Sequence, residues 1–540
     1  MRLINDLKMY ARFAAGLPFH LRRTLSLDEA EAIVRQRMSE RDRNFLRTVE
    51  RGIFGQGENP YQWLFKLAGC EFEDLEASVH SNGLEETLRS LRREGVYATF
   101  EEQKGRRPIV RQGRELAVEP RDFDNPFTAR HYETQTGGST GAGTRVGVDL
   151  DYLASRAPQN YLLEQTFGYY DAPQAYYFTG LPGHGINSVL TRMVYGSYAK
   201  RWFNPIPASA NRAGLPYRVA NFVIPRLLRL GGVPVPLPET VPLTEAHKVA
   251  RWMVDTLRTE GRCVLCTHVS LGVRVCLAAK ERGWSLEGAL MTIGAEAPTS
   301  AKVRTIEEAG VKPIPVYHMA EIGPLGFGCV NPVDENDIHL LLDHLAVIQA
   351  PRQVPGFELE VPAFLFTTLL PTAPKLFINF EGDDYGLLEE RSCGCPWEGY
   401  GFTLHARNIR SYRKLTTEGM TMVGSDMEKI LEDELPERFG GSALDYQMIE
   451  EEDVDGLTRL TVIIDPAVPI SDDQEVLSYL HDRLGQLKGG WQLVETIWRQ
   501  AGTLRIRREK PGWTDAAKLM PLRTLKPSAT ESEPGERVEN

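Results

Sequence analysis

Hydrophobic positions change their period along this chain, and the change marks a change of architecture. Up to about residue 120 they fall three and four apart, the spacing of helices that pack by one face. The segment Ser26-Leu-Asp-Glu-Ala-Glu-Ala-Ile-Val34 opens with a capping serine and continues at helical spacing. Asn59-Pro-Tyr61 marks a break, after which Gln62 to Ala68, Phe72 to Ser81 and Leu84 to Glu94 read as short helices. From about 120 to 405, short β-rich runs alternate with helical ones. Ala175 to Thr179, Arg262 to Thr267 and Ala289 to Ile293 predict strands, while His247 to Glu260 and Ser300 to Ala309 predict helices. This alternation points to α/β layers and away from an all-β sandwich.

A second, smaller unit follows. Ser425 to Leu435 reads as helix, Leu457 to Ile464 alternates like a strand, and Asp472 to Leu487 is helical again. After Lys526 the tail is rich in Ser, Pro and Glu, a composition that cannot bury a core. The expected fold class is α/β. It comprises a mainly helical N-terminal region (1–120), a large multilayer α/β domain (121–410), a smaller, mobile α+β domain (411–525) and a disordered tail (526–540).

Composition narrows the choice of partners. A chain of 540 residues with 42% hydrophobic content exceeds one ordinary core, in keeping with several domains. A net charge of −11 argues against nucleic acid, which needs a broad basic face, but leaves room for a local anion site. No apolar run reaches the roughly 18–20 residues of a transmembrane segment. The most hydrophobic stretch, Val219 to Leu237, is interrupted by Pro225, Arg226, Arg229 and a glycine pair. Met1 to Arg23 lacks the uninterrupted apolar core of a signal peptide and reads as a packed amphipathic helix, with a membrane-surface helix as the alternative. Seven cysteines in this length do not resemble a secreted disulfide framework, so the cytoplasm is the expected location.

Candidate chemistry begins at Tyr132-Glu-Thr-Gln-Thr-Gly-Gly-Ser-Thr-Gly-Ala-Gly-Thr-Arg145, where four glycines and four hydroxyl residues fall within positions 136 to 144. Such a loop has little bulk to hold an anion off, and its N–H groups can turn toward phosphate oxygens. It has neither the ending of a Walker loop nor the glycine spacing of a dinucleotide fold. Further segments follow in order: Gly294-Ala-Glu-Ala-Pro298, Val316-Tyr-His-Met-Ala-Glu321, Phe380-Glu-Gly-Asp-Asp384, His405-Ala-Arg407 and Trp513-Thr-Asp-Ala-Ala-Lys-Leu-Met520. Gly419 and Glu428 keep a nine-residue interval in the small unit.

These segments resemble the motifs of the adenylate-forming superfamily, and within it the phenylacetate–CoA ligase and acyl-protein synthetase branch. The resemblance covers roughly residues 120 to 523. It implies a triphosphate grip at Thr136, Gly137, Gly138, Ser139, Thr140 and Gly141. Gly294, Ala295, Glu296, Tyr317 and His318 are then expected around the adenine, and an aromatic face at Tyr317 suits a base. Glu321 is expected to hold Mg²⁺, a hard ion that prefers oxygen ligands. For the ribose hydroxyls it implies Asp383, which directly follows Gly382, or the adjacent Asp384, with Arg407 beside them just before a hinge placed in 408 to 414. Lys518 is expected to absorb charge as the carboxylate attacks the α-phosphate. His184, in Gly180-Leu-Pro-Gly-His-Gly-Ile-Asn187, matches the segment that carries a histidine near the substrate carboxylate or is simply a turn residue.

Ala320 and Ala517 depart from the pattern, standing where the family has a hydroxyl and a glycine, and Arg145 stands where many relatives have lysine. Cys329, His339, Cys393 and Cys395 supply three thiolates and one imidazole, a complete tetrahedral zinc set, and the same branch carries a similar arrangement. Cys263-Val-Leu-Cys266 reads instead as a buried strand. The implied reaction uses ATP and a small carboxylic acid to form an acyl-adenylate. The thiol of CoA or of a carrier-protein phosphopantetheine then takes the acyl group. Transfer to a protein cysteine or an amine, or a catalytically degenerate nucleotide binder, are the alternatives.

Overall fold

The helical start of the chain follows from its caps. In the computed structural model, which describes residues 2–523 except 56–58, 136–144, 182, 207–214, 297, 354–359, 412–413, 418–419, 424–426, 428–429, 442–444, 454–456, 487–490 and 513–521, helices run from Arg2 to Arg93 with short breaks. Ser26 accepts from the Glu29 N–H at 3.3 Å, and the Glu29 carboxylate accepts from the Ser26 N–H at 2.8 Å, starting Leu27–Ser39. Asn59 caps Pro60–Ala68 by accepting from the Tyr61 N–H at 2.8 Å, with Pro60 in the first turn and Gly69 (φ +67°) closing the helix. These helices do not form a core of their own. Phe45, Phe65 and Leu88 pack into one cluster with Phe364, Phe366 and Phe377 from the sheet. The buried Asn379 amide donates to Leu88 O at 2.8 Å and to Val96 O at 3.2 Å, closing that seam.

A hairpin of β1 (Tyr132–Gln135) and β2 (Arg145–Val148) follows, with Gln135 opposite Arg145. The two strands that flank the glycine-rich segment are thus held side by side at Gln135 and Arg145, and 136–144 itself lies outside the described residues. Tyr132 anchors the hairpin by donating to Asn187 Oδ1 at 2.6 Å.

Among the described residues the large sheet has thirteen strands, twelve in two halves of different character and one short strand, Ala98–Thr99, paired in parallel with Phe380 and Glu381. Its parallel half comprises β3 (Gln174–Tyr177), β4 (Arg201–Asn204), β5 (Pro238–Thr240), β6 (Cys263–His268), β7 (Ala289–Gly294) and β8 (Val311–Met319), in the order β8-β7-β6-β3-β4-β5. Helices His247–Glu260, Val269–Lys280 and Ser300–Glu308 make the crossovers and cover one face. Cys263 and Cys266 are buried along β6, as their β-branched surroundings suggest.

Beyond β8 the expected alternation with helices stops. β9 (Gly323–Gly328), β10 (Ile338–Leu340), β11 (Leu345–Gln353), β12 (Glu360–Thr368), β13 (Phe380–Glu390) and β14 (Leu404–Ser411) are antiparallel, in the order β11-β12-β13-β14-β10-β9. Strands such as β12 are covered on both faces, so their apolar residues run on without the alternation that marks a strand in sequence. β8 joins the two halves. Its residues 311–315 pair in parallel with β7, and its residues 316–319 pair antiparallel with β9 across an irregularity at Tyr317/His318.

The small unit contains β15 (Tyr446–Glu452), β16 (Thr458–Ile464), β17 (Leu504–Arg508) and β18 (Leu522–Arg523), in the order β17-β16-β15-β18, with helices Asp473–Gln486 and Trp491–Ala501. It shares a core with the helices over the parallel half, Met448, Val462 and Trp498 packing with Val249, Met253 and Leu271. Arg274 donates to Ala501 O at 2.9 Å and the Leu243 N–H donates to Gln500 Oε1 at 3.1 Å across the same contact. Helix was expected over Ser425 to Leu435, and the described residues there are helical: Met427, then a π turn, Ile430–Glu434, leading into Leu435–Phe439.

Candidate functional site

The carboxyl ends of parallel strands form one edge, where loops from different strands meet. β3 leads into the turn that carries His184, β6 ends at His268, β7 at Gly294, and β8 runs out through His318 to Glu321. The His184 turn is fixed from outside: Asn221 accepts from the Leu181 N–H and donates to Leu181 O, both at 2.7 Å. His184 stands at the start of helix Gly185–Arg192, its ring 5.6 Å from that of His318. His318 Nε2 lies 3.1 Å from Arg156 Nη2. A guanidinium only donates, so His318 Nε2 accepts and its proton sits on Nδ1. His268 stacks with Phe178, centroids 6.4 Å apart.

Burial, then Arg156, holds His184 down at about 4, and the same two causes hold His318 well below its ordinary value. Burial alone lowers His268. All three imidazoles are therefore neutral at neutral pH. Unfolded, each takes up a proton below about 6.5, whereas the folded site resists it. Their contribution to stability is thus intact above that pH and is lost as pH falls through the window down to about 4. Denaturant unfolding at pH 7.5 and pH 5 should differ by about 1–3 kcal/mol, and His184→Gln should remove part of the difference. An unchanged difference in His184→Gln would count against this assignment.

Glu321 is buried and bonded to Lys104 Nζ at 2.7 Å. Burial opposes its ionisation, but the Lys104 ammonium, Lys375 and a backbone N–H together keep the carboxyl below its usual range. Lys104 comes from the N-terminal region, to which the motifs assign no part. Next door, the Tyr152 hydroxyl donates to Ile322 O at 3.1 Å, fixing the chain just past Glu321.

At the end of β7, a Cβ on Gly294 would come within 2.8 Å of Val316 O, so only glycine lets the two motif strands lie this close. Ala295 follows with φ +66°, a strained conformation for a residue with a side chain. The Glu296 carboxylate turns away into a buried cluster. It accepts from Ser270 Oγ at 2.5 Å and pairs with Lys302 at 3.2 Å, and Lys302 in turn donates to Thr458 Oγ1 at 2.8 Å in the small unit. Only the backbone of Gly294–Glu296 is left for a ligand.

Tyr317 donates its phenolic proton to Asp384 Oδ2 at 2.8 Å, joining two motif segments that are far apart in sequence. Asp384 is half-buried, while the neighbouring Asp383 is buried with φ +68°. Arg407, expected at the nucleotide, pairs with Glu389 at 2.6 Å and Asp334 at 3.5 Å. The expected hinge span 408–414 begins inside β14, which stays paired through Ser411 opposite Asp384. Arg145 is engaged by Glu133 at 3.1 Å on the paired strand. Thr136 to Gly141, Gly419, Glu428, Lys518 and the 526–540 tail lie outside the described residues.

The thiol and imidazole ligand atoms of Cys329, His339, Cys393 and Cys395 all lie within 4.8 Å of one another. Cys393 Sγ is 3.6 Å from His339 Nε2. A tetrahedral zinc with arms of about 2.0–2.3 Å has edges of about 3.6 Å, so the spacing fits. His339 Nδ1 is 2.7 Å from the Phe402 carbonyl, to which it can only donate, and this leaves the Nε2 lone pair facing the thiols. The set clamps the 391–403 loop onto the β9–β10 hairpin, next to the buried Asp337–His405 pair at 2.6 Å.

No family model matches the chain, and no curated protein does. Among solved structures it is similar to the amide bond synthetase McbA from Marinactinospora thermotolerans at 11% identity and TM-score 0.40, over 89% of this chain and 92% of that one. It is likewise similar to o-succinylbenzoate CoA synthetase from Bacillus subtilis at 10% identity and TM-score 0.40, over 82% and 76%. A third is the anthranilate CoA ligase AuaEII, at 11% and 0.33, over 72% and 64%. Identity and superposition are low in each case, so what this site does has to come from its own residues.

Proposed function

We propose that this chain activates a carboxylic acid as its acyl-adenylate, releasing pyrophosphate, and then passes the acyl group to a thiol. The observation that carries the reading is the Tyr317–Asp384 bond at the edge that also gathers Gly294, His318 and Glu321. A nucleotide laid there meets the backbone of Gly294–Glu296, the ring of Tyr317 and the ribose-binding carboxylate, Asp383 or Asp384. The glycine-rich segment 136–144 serves as the triphosphate grip. A carboxylate oxygen attacks the α-phosphorus, the bond to the pyrophosphate oxygen breaks, and Lys518 offsets the charge on the phosphorane. Neutral His184 donates to the incoming carboxylate, and the Arg156 cation behind His318 adds a favourable field.

Glu321 is the hard oxygen donor suited to Mg²⁺, which neutralises the triphosphate when bound. Binding it requires Lys104 to let go. In the second half a thiolate attacks the acyl carbon and AMP leaves, and CoA or a carrier-protein phosphopantetheine is the acceptor that fits the resemblance. Rotation of the small unit between the halves would break the Lys302–Thr458 and Arg274–Ala501 contacts. Zinc in the Cys329, His339, Cys393 and Cys395 set is structural, because all four positions are filled by protein.

One observation favours a degenerate nucleotide binder instead, namely that Lys104 occupies the carboxylate a metal needs. Carboxylate-dependent exchange of labelled pyrophosphate into ATP separates the two. Exchange should appear with some member of an aryl, fatty and amino acid panel and fall about 10²–10³-fold in Lys518→Ala. ATP binding without exchange on any acid would establish the degenerate binder. Given exchange, thioester formation with CoA or a loaded carrier, against amide formation with amines, identifies the acceptor.

A further inference from the structure

Helix Leu215–Leu230 is apolar on two faces. Ala220, Ile224 and Leu228 are buried against the protein, while Val219, Phe222, Val223, Leu227 and Leu230 point outward along one stripe, with Phe222 60% and Leu230 85% exposed. A helix that is hydrophobic all round is normally covered on all sides. The end of helix Arg2–Leu21 extends the patch: a Cβ on Gly231 would sit 2.9 Å from Leu21, and Phe19 beside it is 70% exposed. These residues make up most of the large hydrophobic side chains exposed among the described residues.

The charge around the stripe has one sign. Between Asp171 and Glu239 the chain carries no Asp or Glu, in a protein whose net charge is −11. Arg218, Arg226 and Arg229 are exposed on the helix itself, and Arg22 on the neighbouring end. The Arg226 guanidinium lies over the Phe222 ring, 3.5 Å from its centroid, and donates to Phe222 O at 2.7 Å, so this cation is carried on the apolar stripe itself. Among the described residues no helix is long and apolar enough to cross a membrane.

We propose that this face docks on an anionic lipid bilayer, the apolar stripe entering the acyl boundary and the arginines meeting the headgroups. A second copy of the chain fits less well, because a two-fold contact through this stripe would set the same arginines against one another. The bilayer would lie one helix away from the His184 turn, which Asn221 of this helix holds.

Cosedimentation of the full chain with vesicles tests the proposal. At low salt, binding to vesicles of phosphatidylcholine with phosphatidylglycerol should exceed binding to pure phosphatidylcholine by at least about tenfold, and 0.5 M salt should erase the excess. Phe222→Glu with Leu230→Glu should lose most of the binding with an unchanged melting temperature. Leu230→Glu alone, at the most exposed position, serves should the pair misfold. Arg22→Gln with Arg218→Gln should lower the anionic preference only. Absence of vesicle binding, equal binding to neutral vesicles, or binding indifferent to these variants overturns it. So does light scattering that finds a dimer which Leu230→Glu dissolves, or a demonstration that the stripe binds an acidic protein instead of lipid.

Discussion

Glu321→Gln is expected to lower carboxylate-dependent pyrophosphate exchange about 10²–10³-fold while leaving a folded protein. Glutamine keeps the shape of the side chain and still accepts from Lys104 at the position now held at 2.7 Å, but it cannot neutralise a divalent ion. The reverse change has the opposite signature. Lys104→Met strands the Glu321 carboxylate in a buried position and should cost about 3–5 kcal/mol by denaturant titration. Combining Lys104→Met with Glu321→Gln removes both charges and should restore most of that stability while exchange stays lost. Exchange at wild-type rates in Glu321→Gln would remove Glu321 from the metal site.

Cys395→Ala should lower stability by about 4 kcal/mol or more, and the purified protein should lose its bound zinc. The cause is the placement of the set, because Cys393 and Cys395 pin a loop whose Trp397 fills the core against Phe327 and Phe402. Releasing that loop also exposes the partner of helix Leu27–Ser39, where the Tyr400 hydroxyl donates to Glu31 at 3.0 Å. His339→Ala should behave alike, and Cys70→Ala, remote from the set, should not. Metal analysis of protein prepared without chelators should find one zinc per chain, and less than about half an equivalent would defeat the assignment.

The helix start at Ser26, the break at Asn59, and the helices His247–Glu260 and Ser300–Glu308 were legible because their causes are local. A cap, a proline and a one-sided apolar period act within a few residues. The strands β6 and β7 were legible as short apolar runs between helices, but the antiparallel half was not. Its strands are covered on both faces, so nothing in their residues distinguishes a strand that turns back from one that crosses over.

The candidate site divides the same way. Gly294, Tyr317, Glu321, the two aspartates and the Cys/His quartet could be singled out because each sits in a segment that resembles a family motif, and the quartet reads as a zinc set only with that resemblance. Lys104 and Arg156 carry no such mark, being ordinary basic residues in helical surroundings. Glu296 was legible as a motif residue, yet its carboxylate belongs to Ser270 and Lys302. Arg407 was expected at a nucleotide and is held by Glu389 and Asp334.

What the sequence determined by itself is the local elements and the short segments that present the candidate groups, since both depend on residue type and near neighbours. Only the tertiary structure decided which charge faces which. The N-terminal helices bury their faces on the antiparallel strands, and that packing carries Lys104 to Glu321. A buried charge takes the nearest opposite charge that the fold brings to it, and that choice depends on distance in space, which a linear order of residues does not encode.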